Sequence, residues 1–196
     1  MVTALVLLCG PGIARAEEEA AAAAASLPGF PGATITWAST ADEVLAETEA
    51  LGAARMELEG TADYLTDALQ HAGTDEMGYT CYTTYAYYDT LAIVIRAVLA
   101  DDADACYLAE CDWLTGFFGE PAEGDATDFI EFNNLVSGAY SSEIPLDAAV
   151  QCAQWDLEDG TQILAVRFGG DVTGDLVMIS SINPPVMDQL IADAAE

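Results

Sequence analysis

The clearest alternation of apolar and polar positions lies in residues 79–99, YTCYTTYAYYDTLAIVIRAVL. Over residues 79–88 tyrosine and threonine alternate with small residues, the pattern of a half-buried strand. Asp89 marks a tight turn. Residues 91–99 follow as LAIVIRAVL, with Ile93, Ile95, Ala97 and Leu99 on one side. Their β-branched content, directly after a strand, favours the second arm of a hairpin over a buried helix. Asp101, Asp102 and Asp104 then read as a solvated connection, and residues 111–118, CDWLTGFF, as a third strand. The expected unit is a three-stranded antiparallel meander whose apolar face needs a helical cover.

Elsewhere the pattern predicts helices and one more hairpin. Thr40 stands as an N-cap, Glu43 completes a capping box three residues on, and Gly52 is the stop. Residues 61–73, TADYLTDALQHAG, repeat that grammar from Thr61 to Gly73 and put Leu65, Ala68, Leu69 and Ala72 on one helical face. Residues 126–136 read as a helix capped by Asp125 or Thr127, with Phe129, Ile130 and Phe132 apolar. Residues 150–157 and 161–168 flank Glu158, Asp159 and Gly160, a strong hairpin signal. Residues 171–181 and 186–195 read as helical pieces, with Asn183 capping the second and Pro184 and Pro185 between them. The sum is one α+β domain over residues 38–196, in which helices cover the meander and a C-terminal β-hairpin.

Ahead of that domain, residues 2–8 are an apolar core, Gly10 to Gly12 break it, and Ala14-Arg15-Ala16 is an A-x-A cleavage site. This predicts a secretory signal peptide over residues 1–16, cleaved after Ala16, and a periplasmic or secreted mature chain. The apolar run is far short of the roughly 20 residues a membrane span requires. Residues 17–37 are acid, then alanine, then proline and glycine, and read as a flexible tether.

Export gives the remaining cysteines a meaning. Cys81, Cys106, Cys111 and Cys152 are an even number in an oxidising compartment, which allows three pairings. With Cys81 on the first strand and Cys106 and Cys111 flanking the third, strands two apart lie roughly 10 Å from each other, beyond the ~7 Å Cα limit. That leaves a local Cys106–Cys111 clamp and a long-range Cys81–Cys152 tie.

Charge narrows function further. The chain has 34 acidic residues against four arginines, no lysine and a net charge of −30. Phosphate binding needs a cationic surface, so a nucleic-acid partner is excluded and an anionic membrane surface disfavoured. An acidic surface that keeps the protein soluble, in a saline habitat for instance, competes with binding of cations or of a basic partner. Asp101, Asp102 and Asp104, with Glu110 and Asp112 following, are the candidate calcium ligands, although the central Gly and terminal Glu of an EF-hand loop are missing. Tyr82, Tyr85, Tyr87 and Tyr88 are the candidate contact surface for a protein partner, set against ordinary cross-strand packing.

No catalytic residue and no cofactor are predicted. His71 is the only histidine, reads as a surface residue near a helix end, and has neither a G-x-S-x-G serine nor a phosphate-cradling loop to act with.

Order and several residues together resemble the exported, cysteine-bearing bacterial members of the YbjN family. The matching parts are the Thr61–Gly73 segment, then C-x4-C with an aromatic segment (Cys106 to Phe118), an asparagine-bearing helix (Phe129 to Val136), and a hairpin ending in Gly169-Gly170. The chain departs from that pattern where Asn133-Asn134 lacks a following arginine segment and where Pro184-Pro185 interrupts the last helix. The resemblance implies a fold like that of type III secretion chaperones and a non-enzymatic role in sensory or stress regulation. It also implies a protein partner and a homodimer.

Overall fold

Thr40 opens the first helix as its capping box requires. Its hydroxyl accepts from the Glu43 amide at 3.3 Å, and the Glu43 carboxylate accepts from the Thr40 amide at 2.8 Å. In the computed structural model, which describes residues 27–30, 33–58, 65–75, 77–137, 144–169 and 176–194, this helix is α1, Ala41–Glu47. A 3-10 turn, Glu49–Leu51, follows and ends on Gly52 at φ 76°. The strands are then β1 (Ala54–Arg55), β2 (Asp67–Thr74), β3 (Thr80–Tyr88) and β4 (Thr90–Leu99). After them come α2 (Ala103–Phe118), β5 (Ala122–Glu123) and α3 (Thr127–Ser137). β6 (Ala149–Asp156), β7 (Gln162–Phe168), β8 (Leu176–Ile182) and α4 (Pro184–Ala194) complete the order.

All eight strands form one antiparallel sheet in the order β1-β2-β3-β4-β8-β7-β6-β5. Because β8 returns to lie beside β4, the chain's last strand occupies the middle of the sheet. It is buried on both faces, as its run of Val177, Met178, Ile179 and Ile182 demands. One face carries α2 and the N-terminal segment, with Leu27, Phe30, Ile35, Val44 and Leu114 packed on Tyr85, Val94, Val98, Ile163 and Ile179. The other buries Phe129, Ile130 and Phe132 of α3 and Met187 and Leu190 of α4 against Ile93, Leu164, Val166 and Phe168. The architecture is α+β in three layers, a sheet with helices on both faces.

The structure corrects several expectations. Residues 111–118 are the second half of α2, so the meander as predicted loses its third strand. Asp102, predicted as part of a solvated hairpin connection, accepts from the Ala105 amide at 3.0 Å and caps that helix. The i, i+3, i+4 spacing of buried Ala103, Cys106, Tyr107, Glu110 and Leu114 outweighs the β-favouring aromatics beside them. Residues 67–73, predicted as the end of a helix, lie in β2, which pairs with β3 over eight consecutive positions; residues 61–64 lie outside the described residues. Residues 176–181, predicted as helical, belong to β8, and α4 starts at Pro184 itself instead of beyond the proline pair.

The predicted tether, residues 17–37, is corrected in its described part. Leu27, Phe30 and Ile35 are buried, and the Ser181 hydroxyl donates to the Pro28 carbonyl at 2.6 Å. The signal peptide and residues 17–26 lie outside the described residues. The hairpins at Asp89 and at 158–160, α1 and α3 stand where the sequence placed them. Asp89 takes the left-handed conformation, φ 57°, which aspartate tolerates in a turn.

Candidate functional site

At the β5 edge of the sheet, the chain forks. β5 runs against β6 for two residues, Ala122 opposite Gln154 and Glu123 opposite Ala153. One further bond, from the Gly124 amide to the Cys152 carbonyl at 3.0 Å, prolongs the contact. Only glycine permits this approach: a Cβ at 124 would stand 2.6 Å from the Cys152 Sγ and 3.3 Å from the Ala153 backbone carbon. Beyond it the chain leaves the sheet to start α3, where the Asp125 carboxylate accepts from the Thr127 amide at 2.9 Å.

The N-terminal half of β6 is therefore left without β5 beside it. A bulge between Ala149 and Gln151 makes Val150 the extra residue of that strand, and its side chain is 57 % exposed. Upstream, the Asn134 side chain both donates to the Ile144 carbonyl and accepts from the Ile144 amide, at 2.7 Å each, and so fixes where the chain enters β6.

Between these walls lies an open groove of about 810 Å³, within the usual size of ligand pockets. Residues 121–127 form one wall, residues 149–152 the other, and Tyr107 and Leu146 also line it. Its acids are Glu123 and Asp125. The bond from Thr127 holds the Asp125 carboxyl below the ordinary carboxylate range, so it is ionised at neutral pH.

The cysteines sit elsewhere than the sequence placed them. Cys106 and Cys111 both lie on α2, where Cα atoms five residues apart are about 8–9 Å from each other. The predicted clamp needed a loop at 107–110, and the helix puts the pair beyond disulfide reach. Cys81 on β3 and Cys152 on β6 are separated by β4, β8 and β7, roughly 19 Å of sheet. They also pack into different layers, so the predicted long-range tie is not formed either. What the helix does is bring Cys106 and Cys81 into the same buried layer and the Cys111 thiol against the Tyr107 hydroxyl. Burial pushes the thiols of Cys106 and Cys152 up to about 12 and raises that of Cys111, which keeps all three protonated and poorly nucleophilic.

His71, predicted at the surface, is buried on β2, with its Nε2 3.5 Å from the Tyr85 hydroxyl. Burial lowers its pKa from 6.5, so the folded chain binds a proton there less readily than the unfolded one. The stability this gives is present above the unfolded pKa and is lost as pH falls from about 6.5 through the folded value. Urea unfolding of wild type and His71→Gln at pH 8 and pH 5 checks it: the wild type's advantage shrinks at pH 5.

The proposed calcium ligands are not gathered. Asp102 caps α2, Asp104 pairs with the Arg167 Nε at 2.8 Å, and among the described residues no group of three or more His, Cys, Asp or Glu side chains could hold a metal ion. Thermal melting separates the two accounts of the acidity. Diffuse screening predicts a midpoint that climbs with tens to hundreds of millimolar NaCl. A specific calcium site would instead lift it at micromolar calcium and fixed ionic strength.

Of the tyrosines proposed as a contact surface, Tyr85 and Tyr87 are core and Tyr88 bonds Asp193 of α4; Tyr82, 40 % exposed, is the one that faces solvent. The groove itself was not anticipated, because it depends on where β5 stops, and nothing in the local pattern of residues 120–127 marks a two-residue strand. Among the described residues no helix is long and apolar enough to cross a membrane. No protein family, no curated protein and no solved structure matches the chain.

Proposed function

We propose that the mature chain is an exported, non-enzymatic binding protein of the YbjN kind, a chaperone-like module that works by protein interaction in stress or sensory regulation. One observation carries this reading: the groove runs beside the stretch of β6, residues 149–151, that β5 does not pair with. Its single thiol is held protonated, and the only histidine of the chain is buried on another strand. A concave strip of half-covered strand is suited to holding another chain, because its backbone donors and acceptors can be satisfied by a partner.

Titration calorimetry of the mature protein against a panel of unstructured peptides tests the reading. Saturable binding of a subset, with no covalent change in the peptides, is the expected result. Absence of binding to every peptide, or turnover of any of them, overturns it.

A further inference from the structure

We infer that the groove beside Ala149, Val150 and Gln151 takes a short, extended, lysine- or arginine-rich peptide segment, which adds to β6 as a strand in line with β5. This rests on the protein-binding reading above and names the partner's chemistry.

Geometry comes first. β5 and Gly124 already pair with residues 152–154, so the line a neighbouring strand must follow is set. It is vacated at Asp125, where the chain turns into α3, and the groove occupies the vacated space. About three residues of extended chain, at roughly 3.3 Å each, would run along residues 149–151. The bulge at Val150 twists this stretch out of the flat register that favours indiscriminate edge-to-edge pairing, so such a partner has to fit a shaped site.

Charge selects the occupant. Glu123 and Asp125 flank the line, and the whole chain carries −30. The three arginines downstream of the predicted cleavage site are all engaged with the chain's own carboxylates: Arg55 with Asp42 and Asp67, Arg96 with Glu110, and Arg167 with Asp104. A second copy of this chain would bring the same excess of negative charge to the edge and be repelled. A basic segment is attracted over the whole surface and held locally by two carboxylates.

Fluorescence anisotropy on the full mature chain tests the inference with labelled hexapeptides that alternate lysine with valine or threonine. Two controls replace lysine by glutamate or by glutamine. A third N-methylates alternate residues, so that the donors along one edge of the peptide are removed. The expected result is saturable binding of the basic peptide and a loss of about tenfold or more on N-methylating one edge but not the other. Glu123→Gln with Asp125→Asn should weaken it severalfold; asparagine keeps an acceptor for the Thr127 amide. Binding should also fall as NaCl rises from 50 to 300 mM. Equal binding of N-methylated peptides overturns strand addition, and equal binding of the neutral or acidic peptides overturns the charge assignment; both leave the protein-binding reading standing. A concentration-dependent dimer that excludes the peptide makes the occupant a second copy and overturns the inference. Binding of no peptide of any charge overturns the inference and the protein-binding reading together.

Discussion

Leucine in place of Glu110 lowers the stability of the fold by about 3–5 kcal/mol. Glu110 is completely buried on α2, and its Oε2 lies 2.5 Å from the Arg96 Nη2 on β4, itself only 3 % exposed. The guanidinium also sits over the Trp113 ring, 5.2 Å from its centroid. Removing the carboxylate takes away the buried anion 2.5 Å from the guanidinium and sets an apolar side chain against a buried cation. The double variant Arg96→Met with Glu110→Leu recovers most of the loss, since a buried pair exchanged for well-packed apolar groups is close to neutral. Urea unfolding of the four proteins gives the coupling directly. A Glu110→Leu loss below about 1 kcal/mol would mean that the pair is solvated and that α2 does not seat on the sheet as described.

Phe168→Ala costs about 3–5 kcal/mol by the same measurement. The ring is fully buried at the end of β7, lies 6.3 Å from the Phe129 ring of α3, and stands opposite Ala149 across the β6 ladder. Truncation opens a cavity between the sheet and α3 that neighbouring side chains held on rigid elements cannot fill. Leu108→Ala is the matched control: that residue faces solvent on α2 and should change stability by less than about 0.5 kcal/mol. Similar losses for the two would contradict the assignment of the second core layer.

How far the sequence could be read depends on whether local chemistry and tertiary burial agree. At Thr40 and Glu43 the cap is built from residues three apart and needs nothing else, so the helix was legible. The hairpins at Asp89 and Gly160 were legible for the same reason, since turn residues and flanking periodicity sit within ten positions. Residues 67–74 and 176–182 failed in the opposite way. DALQHAG carries helix-favouring Ala, Leu and Gln, yet eight positions of pairing with β3 decide its state. LVMISSI has two serines that argue against a core strand; Ser181 is accommodated because its hydroxyl reaches the Pro28 carbonyl, more than 150 residues away in sequence. Residues 111–118 misled because Trp113, Phe117 and Phe118 favour strands, whereas their rings stack around Phe30 from the flank of a helix.

The site was less legible than the fold. The cysteine pairings assumed a strand at 111–118; the helix there undoes the Cys106–Cys111 clamp, and the three strands between β3 and β6 undo the Cys81–Cys152 tie. The groove exists because β5 is two residues long and Gly124 allows one last close contact before the chain turns away. Those are properties of three elements brought together by the sheet, and no single stretch of sequence carries them.

The most direct measurement is an amide chemical-shift titration of the isotope-labelled protein with the lysine-bearing hexapeptide. The account predicts saturable shifts concentrated at residues 121–127 and 146–152 and at Tyr107, with new hydrogen-exchange protection along β6 between Ala149 and Cys152. Shifts centred on α1 and β1, or spread evenly over the acidic surface with no saturation, would contradict it.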